Sequence, residues 1–376
     1  MRQIPTGKPS IGHEDVLAVQ QALLSGWLTT GPKVQEFEQA FARYVGSRYA
    51  IAVSSGTAAL ELALACLDIT AGEIITTPFT FVATANAILY NDLKPVFVDI
   101  DPETLNINPQ KIEAAITKDT KAILYVDYAG QPCDIDSIRQ IAERNNLFLV
   151  EDAAHALGAR YGSTRVGAIA DLTTFSFHPL KNMTTGEGGM ITTNQEKLYR
   201  KLLLLRNHGL DKEDKKFGGA WSYNMKLLGR NYRLSDLQCA LGLTQLQKIE
   251  QLNQKRAAVV NRYREAFSSI PEISVLTVQE KAAPAWHLFV ILLRGVGRNA
   301  LFEELGHRGV KANVHYIPIY HFDYYQTLGF CPTDFPNTEK AFKNILTLPL
   351  YADISGEEVA HVIGAVKESI KKLAKK

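Results

Sequence analysis

The sequence predicts an α/β protein: a mainly parallel sheet covered by helices on both faces, followed by a smaller C-terminal α+β domain. Three observations carry this expectation. Short, nearly continuous apolar runs alternate with amphipathic helical runs through roughly the first two thirds of the chain. From Ser235 the pattern changes to one long helical stretch. The length, 376 residues, is too great for one simple core and suits a large domain plus a smaller one.

The elements follow in order. A strand ends near 53–55, and a helix is predicted over 57–67. Segment 73–77 reads as a strand, 81–90 as a helix and 95–99 as a strand. The helix at 108–116 has Pro109 in its first turn, where a missing N–H costs nothing. Residues 122–127 form a short apolar β-run, 136–145 a helix, and 147–150 an almost wholly apolar strand. Strands at 173–177 and 189–193 complete the set. The run ALGLTQLQKIEQLNQKRAAVVNRYREAF makes one long helical segment with room for a bend. Beyond it, strands are expected near 287–293 and 310–318 and a last helix over 356–372. The domain boundary is placed near residue 250, giving a large domain at 1–250 and a small one at 251–376.

Composition narrows the function classes. The apolar fraction of 46% is that of a globular protein, and a net charge of +2 gives no electrostatic case for nucleic acid. Lys371, Lys372, Lys375 and Lys376 read as a solvated helix end. Cys66, Cys133, Cys239 and Cys331 form no CxxC pair and no metal-ligand spacing, so no metal site is expected and a reducing compartment suits them. The first residues show no apolar signal region, and no stretch is long enough to cross a bilayer. A cytoplasmic location is the default expectation.

Several residues stand out for chemistry. Lys181, in TTFSFHPLKNMTTGEGG, lies in a loop just past a strand, at the sheet edge where ligands bind in α/β folds. Alone, it reads as a solvated loop lysine; its neighbours change that reading. Asp152 ends the apolar strand of LFLVEDAAHALG and emerges at the same edge. A carboxylate there can keep a pyridine nitrogen protonated, or simply cap a turn. His155 follows three residues later, as a ring neighbour or as packing. In AVSSGTAALELALA, Gly56 and Thr57 open a helix whose free N–H groups suit a phosphate. Phe81, in TTPFTFVATANA, can stack on a flat ring or fill the core. Asn231, in GRNYRLSDLQCALG, reads on its own as a loop residue or a cap. The sequence contains neither a Walker loop, a GxGxxG fingerprint, a GxSxG elbow nor an HExxH.

The motifs GWLTTGPKVQEFE, SSGTAAL, FTFVATAN, VDYAGQPCDID, VEDAAHALGA, FSFHPLKNMTTGEGG, NYRLSDLQCALGLTQL and VHYIPIY, in this order, span nearly the whole chain. Together they resemble the fold-type I pyridoxal-phosphate aminotransferases, specifically the DegT/DnrJ-like sugar aminotransferases. The resemblance implies a seven-stranded sheet in the large domain and pyridoxal phosphate as cofactor. It places Lys181 at the position of the lysine that carries the cofactor and Asp152 at that of the partner of the pyridine nitrogen. It also implies Phe81 stacked on the ring, His155 close to it, and Gly56, Thr57 and Ser176 around the phosphate. Asn231 matches an asparagine that reaches the cofactor phosphate of a neighbouring subunit, which implies a homodimer with shared active sites. Trp27, Thr29 and Thr30 are expected near the sugar, and His315, Tyr316 and His321 in the far wall.

The implied activity is transfer of an amino group from glutamate to a keto group of a nucleotide-linked 4-keto-6-deoxy sugar, for amino-sugar or polysaccharide biosynthesis. NYRLSDLQ resembles members that aminate C4, since those acting at C3 tend to have serine where Tyr232 stands. VDYAGQPCDID and HPLKNMTTGEGG resemble the branch acting on UDP-linked N-acetylhexosamines. GWLTT departs from that branch, which leaves thymidine- and guanosine-linked sugars open. The rival readings are a 3-keto aminotransferase, a sugar dehydratase, a cysteine desulfurase and a non-catalytic sensor. In this family dehydration goes with histidine at the Lys181 position. A desulfurase needs a mobile thiol, for which Cys331 is the one candidate. A sensor would be expected to lose Lys181 or Asp152, or to gain a DNA-binding domain.

Overall fold

A computed structural model of the chain describes residues 3–374. Seven strands form the main sheet: β1 (Tyr49–Val53), β2 (Glu73–Thr76), β3 (Lys94–Phe97), β4 (Thr120–Val126), β5 (Phe148–Asp152), β6 (Leu172–Ser176) and β7 (Gly189–Thr193). Their order across the sheet is β1-β7-β6-β5-β4-β2-β3. Strands β3, β2, β4, β5 and β6 pair in parallel, and β7 runs antiparallel to both β6 and β1. All strands but β7 therefore point the same way, and their C-terminal ends form one edge.

The strands are buried on both faces, which explains their nearly continuous apolar sequences. On one face Ile51, Val53, Ile74, Leu124 and Val150 pack against helices Gly56–Ala65, Val82–Tyr90 and Glu196–Arg206. On the other, Ala50, Ala52, Phe175 and Met190 meet helix Pro32–Val45, while Ile75, Ile123 and Leu149 meet helix Ile135–Asn145. Alternation along each strand sends successive side chains to opposite layers.

A second, antiparallel sheet follows in the C-terminal part: β8 (Ile273–Val275), β9 (Phe289–Leu293) and β10 (Ile345–Leu348), in that order. Phe289, Ile291, Leu346 and Leu348 form its core with Val259, Val260, Tyr263 and Phe267 and with Val359, Val362 and Val366 of the last helix, Gly356–Leu373. Ile4 joins this core from the N-terminus and bridges Val310.

Two expectations change. The long helical segment is two helices, Asp236–Gln247 and Ile249–Phe267, broken at Lys248. Ser235 starts the first through a reciprocal cap with Gln238. The strand expected at 310–318 does not form: Val310 and Asn313 each make one isolated bridge, to Ile4 and Thr347, and the segment then leaves the sheet. Its branched residues suit a strand, but no neighbour continues the ladder, so the backbone bonds go elsewhere. The short strand β10 was not anticipated. At the C-terminal end Lys371 and Lys372 are exposed in the last turn of the final helix, as expected, with Lys372 in a surface pair with Glu304 at 2.8 Å, and Lys375 and Lys376 lie outside the described residues.

Candidate active site

A cavity of about 450 Å3 opens at the C-terminal edge of the main sheet. Gly56, Thr57, Phe81, Asp152, His155, Ser176, Lys181, His315 and Tyr316 all line it. Residues far apart in sequence thus converge because β1, β5 and β6 end at one edge.

Asp152 is the last residue of β5 and is 5% exposed. Its Oδ2 accepts a 2.7 Å hydrogen bond from Thr84 Oγ1, and its Oδ1 accepts one of 3.1 Å from the Ala154 N–H. Burial pushes its carboxyl up, while these two donors and the Lys181 ammonium pull the other way. A buried carboxylate that makes no ion pair among the described residues calls for a cationic partner in the cavity.

Lys181 lies five residues beyond the end of β6. Its backbone is fixed on two sides: its N–H donates to the His178 carbonyl at 2.9 Å, and its carbonyl accepts from Arg256 at 3.2 Å. Next to it, Asn182 Nδ2 donates to Asn253 and to the Ala285 carbonyl. Helix Ile249–Phe267 therefore holds the lysine loop in place. Burial lowers the Lys181 amine to about 8, against a partial opposing pull from Asp152. Among the described residues its Nζ makes no hydrogen bond or ion pair.

Gly56 begins helix Gly56–Ala65, and Ser55 caps it by accepting from the Ala58 N–H. A Cβ on Gly56 would stand 2.8 Å from Ser176 Cβ, so only glycine lets the helix end and β6 approach this closely. The first N–H groups of a helix have no intrahelical partner, and with Gly56 and Thr57 lining the cavity this helix start suits a phosphate. Phe81 precedes helix Val82–Tyr90, is half exposed at the mouth, and lies 5.9 Å from the Tyr316 ring. A buried acid, a lysine of lowered basicity, a helix N-terminus and an exposed ring on one cavity fit a flat, phosphate-bearing pyridine aldehyde.

Comparison with known proteins agrees with this geometry. The model of the DegT/DnrJ/EryC1/StrS aminotransferase family matches residues 9–367. The chain belongs to that family. The spore coat polysaccharide biosynthesis protein SpsC of Bacillus subtilis is 42% identical, with 98% of this chain and 97% of SpsC covered. The fold matches that of Spr1654 from Streptococcus pneumoniae, solved in PMP, apo and PLP forms. For the PMP form the TM-score is 0.95 at 34% identity, covering 98% of this chain and 100% of that one. Helicobacter pylori PseC, an aminotransferase involved in the biosynthesis of pseudoaminic acid, matches with a TM-score of 0.93 at 34% identity, over 99% and 100% of the two chains. This DegT/DnrJ-family chain is an aminotransferase of the fold-type I class, and pyridoxal phosphate is its cofactor.

Not every expected site residue of this aminotransferase meets the cavity. Trp27, Thr29 and Thr30 are exposed and lie away from it. Asn231 is also exposed; it bridges Asn207 and does not line the cavity of its own chain. His321 stands outside as well, because Glu339 holds its Nε2 at 2.6 Å and also accepts from Tyr320. Conversely, Thr84 and His287 belong to the site and were not singled out in the sequence. Thr84 sits one helical turn after Phe81, a spacing that puts both near one face. Nothing local marks His287.

Proposed function

We propose that the enzyme transfers an amino group from glutamate to C4 of a nucleotide-linked 4-keto-6-deoxy sugar. The observation that carries this reading is the placement of Lys181 and Asp152 on one cavity, with the basicity of the amine lowered to about 8. A sugar substrate is supported by the polysaccharide and pseudoaminic acid roles in the names of SpsC and PseC. C4 is supported by the likeness of NYRLSDLQ to C4-aminating members.

Pyridoxal phosphate, when bound, supplies the aldehyde that takes up the amine and the ring that spreads developing negative charge. The chain would do the rest. Gly56, Thr57 and Ser176 would hold the phosphate, and Phe81 would cover the ring. Asp152 would keep the ring nitrogen protonated. Lys181 would anchor the cofactor and, once displaced by the incoming amine, move a proton from the substrate carbon. With its amine lowered to about 8, roughly a tenth of Lys181 is unprotonated at pH 7, far more than an ordinary lysine offers, and less energy is needed to free the base. Lysine rather than histidine at 181 favours amination over dehydration.

We further propose a homodimer, cytoplasmic in location, in which Asn231 and the Trp27–Thr30 segment complete the partner's cavity. Among the described residues no helix is long and apolar enough to cross a membrane.

The test is to load the enzyme with pyridoxal phosphate, convert it with glutamate to the amine form, and offer UDP-, dTDP- and GDP-linked 4-keto and 3-keto sugars. Return of the original absorption with one 4-keto sugar is the expected result. Return only with a 3-keto sugar would overturn the C4 assignment, and no response to glutamate would overturn the donor.

A further inference from the structure

Glu61 lies in the second turn of helix Gly56–Ala65, whose start lines the cavity. It is 6% exposed, and its two oxygens hold the two residues that flank Asn231. Oε1 accepts from Arg230 Nε at 2.9 Å, and Oε2 accepts from Tyr232 Oη at 2.8 Å. Neighbours two apart on an extended run share a side, and the residue between them faces the other. Asn231, between these two, is exposed.

We infer that Glu61 is a positioning residue for the cofactor of the neighbouring subunit: by clamping Arg230 and Tyr232 it aims Asn231 away from its own chain and toward the partner's cavity. The inference rests on the proposed homodimer in which Asn231 completes that cavity.

The backbone of the segment is tied down as well. The Arg230 N–H donates to the Leu205 carbonyl at 2.6 Å, the Tyr232 N–H donates to the Arg206 carbonyl at 3.0 Å, and the Tyr232 carbonyl accepts from the Ser54 N–H at 2.9 Å. These bonds hold the segment in the fold; the carboxylate fixes its tilt from the side opposite Asn231. A hydrogen bond weakens steeply when misaligned, so a small tilt is enough to lose a contact in the next subunit. Ser55, Thr57, Glu61 and Tyr232 line one groove, and Thr57 also lines the cofactor cavity. The Asn231 segment thus lies beside the expected phosphate site of its own chain. A two-fold contact needs this placement, since a group near the axis meets the same region of the other copy. Just before the segment the chain exposes Trp221, Met225 and Leu228, apolar side chains that a second copy would cover.

The test is where the defect appears. Glu61→Ala is expected to weaken pyridoxal phosphate binding about three- to tenfold, the size of one hydrogen bond. In an Asn231→Ala background it should weaken binding no further. In hybrids of Glu61→Ala with Lys181→Ala subunits, the cavity that keeps Lys181 belongs to the Glu61→Ala chain, but the Asn231 that reaches it comes from the chain with Glu61 intact. That cavity, read by its visible absorption, should bind cofactor as tightly as wild type. A hybrid cavity as weak as in the Glu61→Ala dimer would show that Glu61 acts on its own helix start. That result, unweakened binding in the Glu61→Ala dimer, or a further loss in the Asn231→Ala background would each overturn the inference. If Glu61→Ala does not fold, Arg230→Met, at a half-buried position, breaks the clamp from the other side and is read in the same hybrids. Asn231→Ala in those hybrids separates the two assignments. If it too leaves the Lys181 cavity weak, the shared cavity itself fails; if that cavity recovers with Asn231→Ala and not with Glu61→Ala, only the clamp fails.

Discussion

The Thr84 hydroxyl donates a 2.7 Å hydrogen bond to Asp152 Oδ2, joining the first turn of helix Val82–Tyr90 to the end of β5. Thr80 Oγ1 lies 2.9 Å from the Thr84 hydroxyl, so the threonine is oriented from behind. The pair positions the carboxylate and lowers the cost of its charge.

Thr84→Val keeps the shape of the side chain and removes the donor. Hydrogen bonds to charged groups contribute about 1.5–3 kcal/mol. We expect roughly a tenfold or greater loss of cofactor affinity at neutral pH, from weaker ionisation of Asp152, with the fold retained. A titration with pyridoxal phosphate checks this; unchanged affinity would show that Asp152 does not depend on Thr84.

Lys181→Met concerns stability as well as activity. The folded amine sits at about 8 instead of 10.5, so between these values the unfolded chain binds more protons. Stability of the cofactor-free protein then rises with pH through that window, and below about 8 the buried charge costs up to ~3 kcal/mol. The methionine variant is expected to lose transamination and yet melt higher than wild type at pH 7 when both lack cofactor. Melting curves at pH 7 and 10 test it, with the gap narrowing at the higher pH.

Asp127 and Glu151 are neighbours and both fully buried, and among the described residues Asp127 Oδ2 and Glu151 Oε1 have no hydrogen-bond partner. Burial, reinforced by Glu151, raises the Asp127 carboxyl well above its usual range. For a raised acid, stability is greatest below the unfolded value, near pH 4, and declines as pH climbs toward the folded one. Asp127→Asn keeps an acceptor for the 3.0 Å bond from the Cys133 N–H and gives Glu151 a donor. The variant should melt several degrees above wild type at pH 8, with the difference closing toward pH 5. A lower melting temperature at pH 8 would contradict a buried Asp127 held above its usual range by burial and Glu151.

Asn231 tests the proposed dimer. Alone, Asn231→Ala should weaken cofactor retention. In hybrids with Lys181→Ala, one cavity would carry both defects and the other neither. About half the hybrid sites should therefore bind cofactor and turn over normally. Hybrids no better than either parent would place Asn231 outside the partner's site.

Much of this protein was legible in its sequence. Apolar runs of strand length between amphipathic helices gave the main sheet to within a few residues, since burial on both faces leaves little freedom in composition. Lys181, Asp152, Gly56, Thr57 and Phe81 were visible because each follows or ends a strand, and strand ends share one edge in a parallel sheet. The segment at 310–318 misled because strand propensity speaks only to the chain itself, and a ladder needs a neighbour.

Local sequence therefore determined the strands of the main sheet, the family, and the candidates Lys181, Asp152, Gly56, Thr57 and Phe81 that line the cavity. It could not determine which groups meet across the cavity. Thr84 against Asp152, Arg256 on the Lys181 carbonyl and Tyr316 on His155 are contacts between residues 68, 75 and 161 positions apart. The same holds for the lowered basicity of His155 and of Lys181. Both arise from exclusion of water by surrounding layers, a property of the packed fold and not of any short stretch of chain.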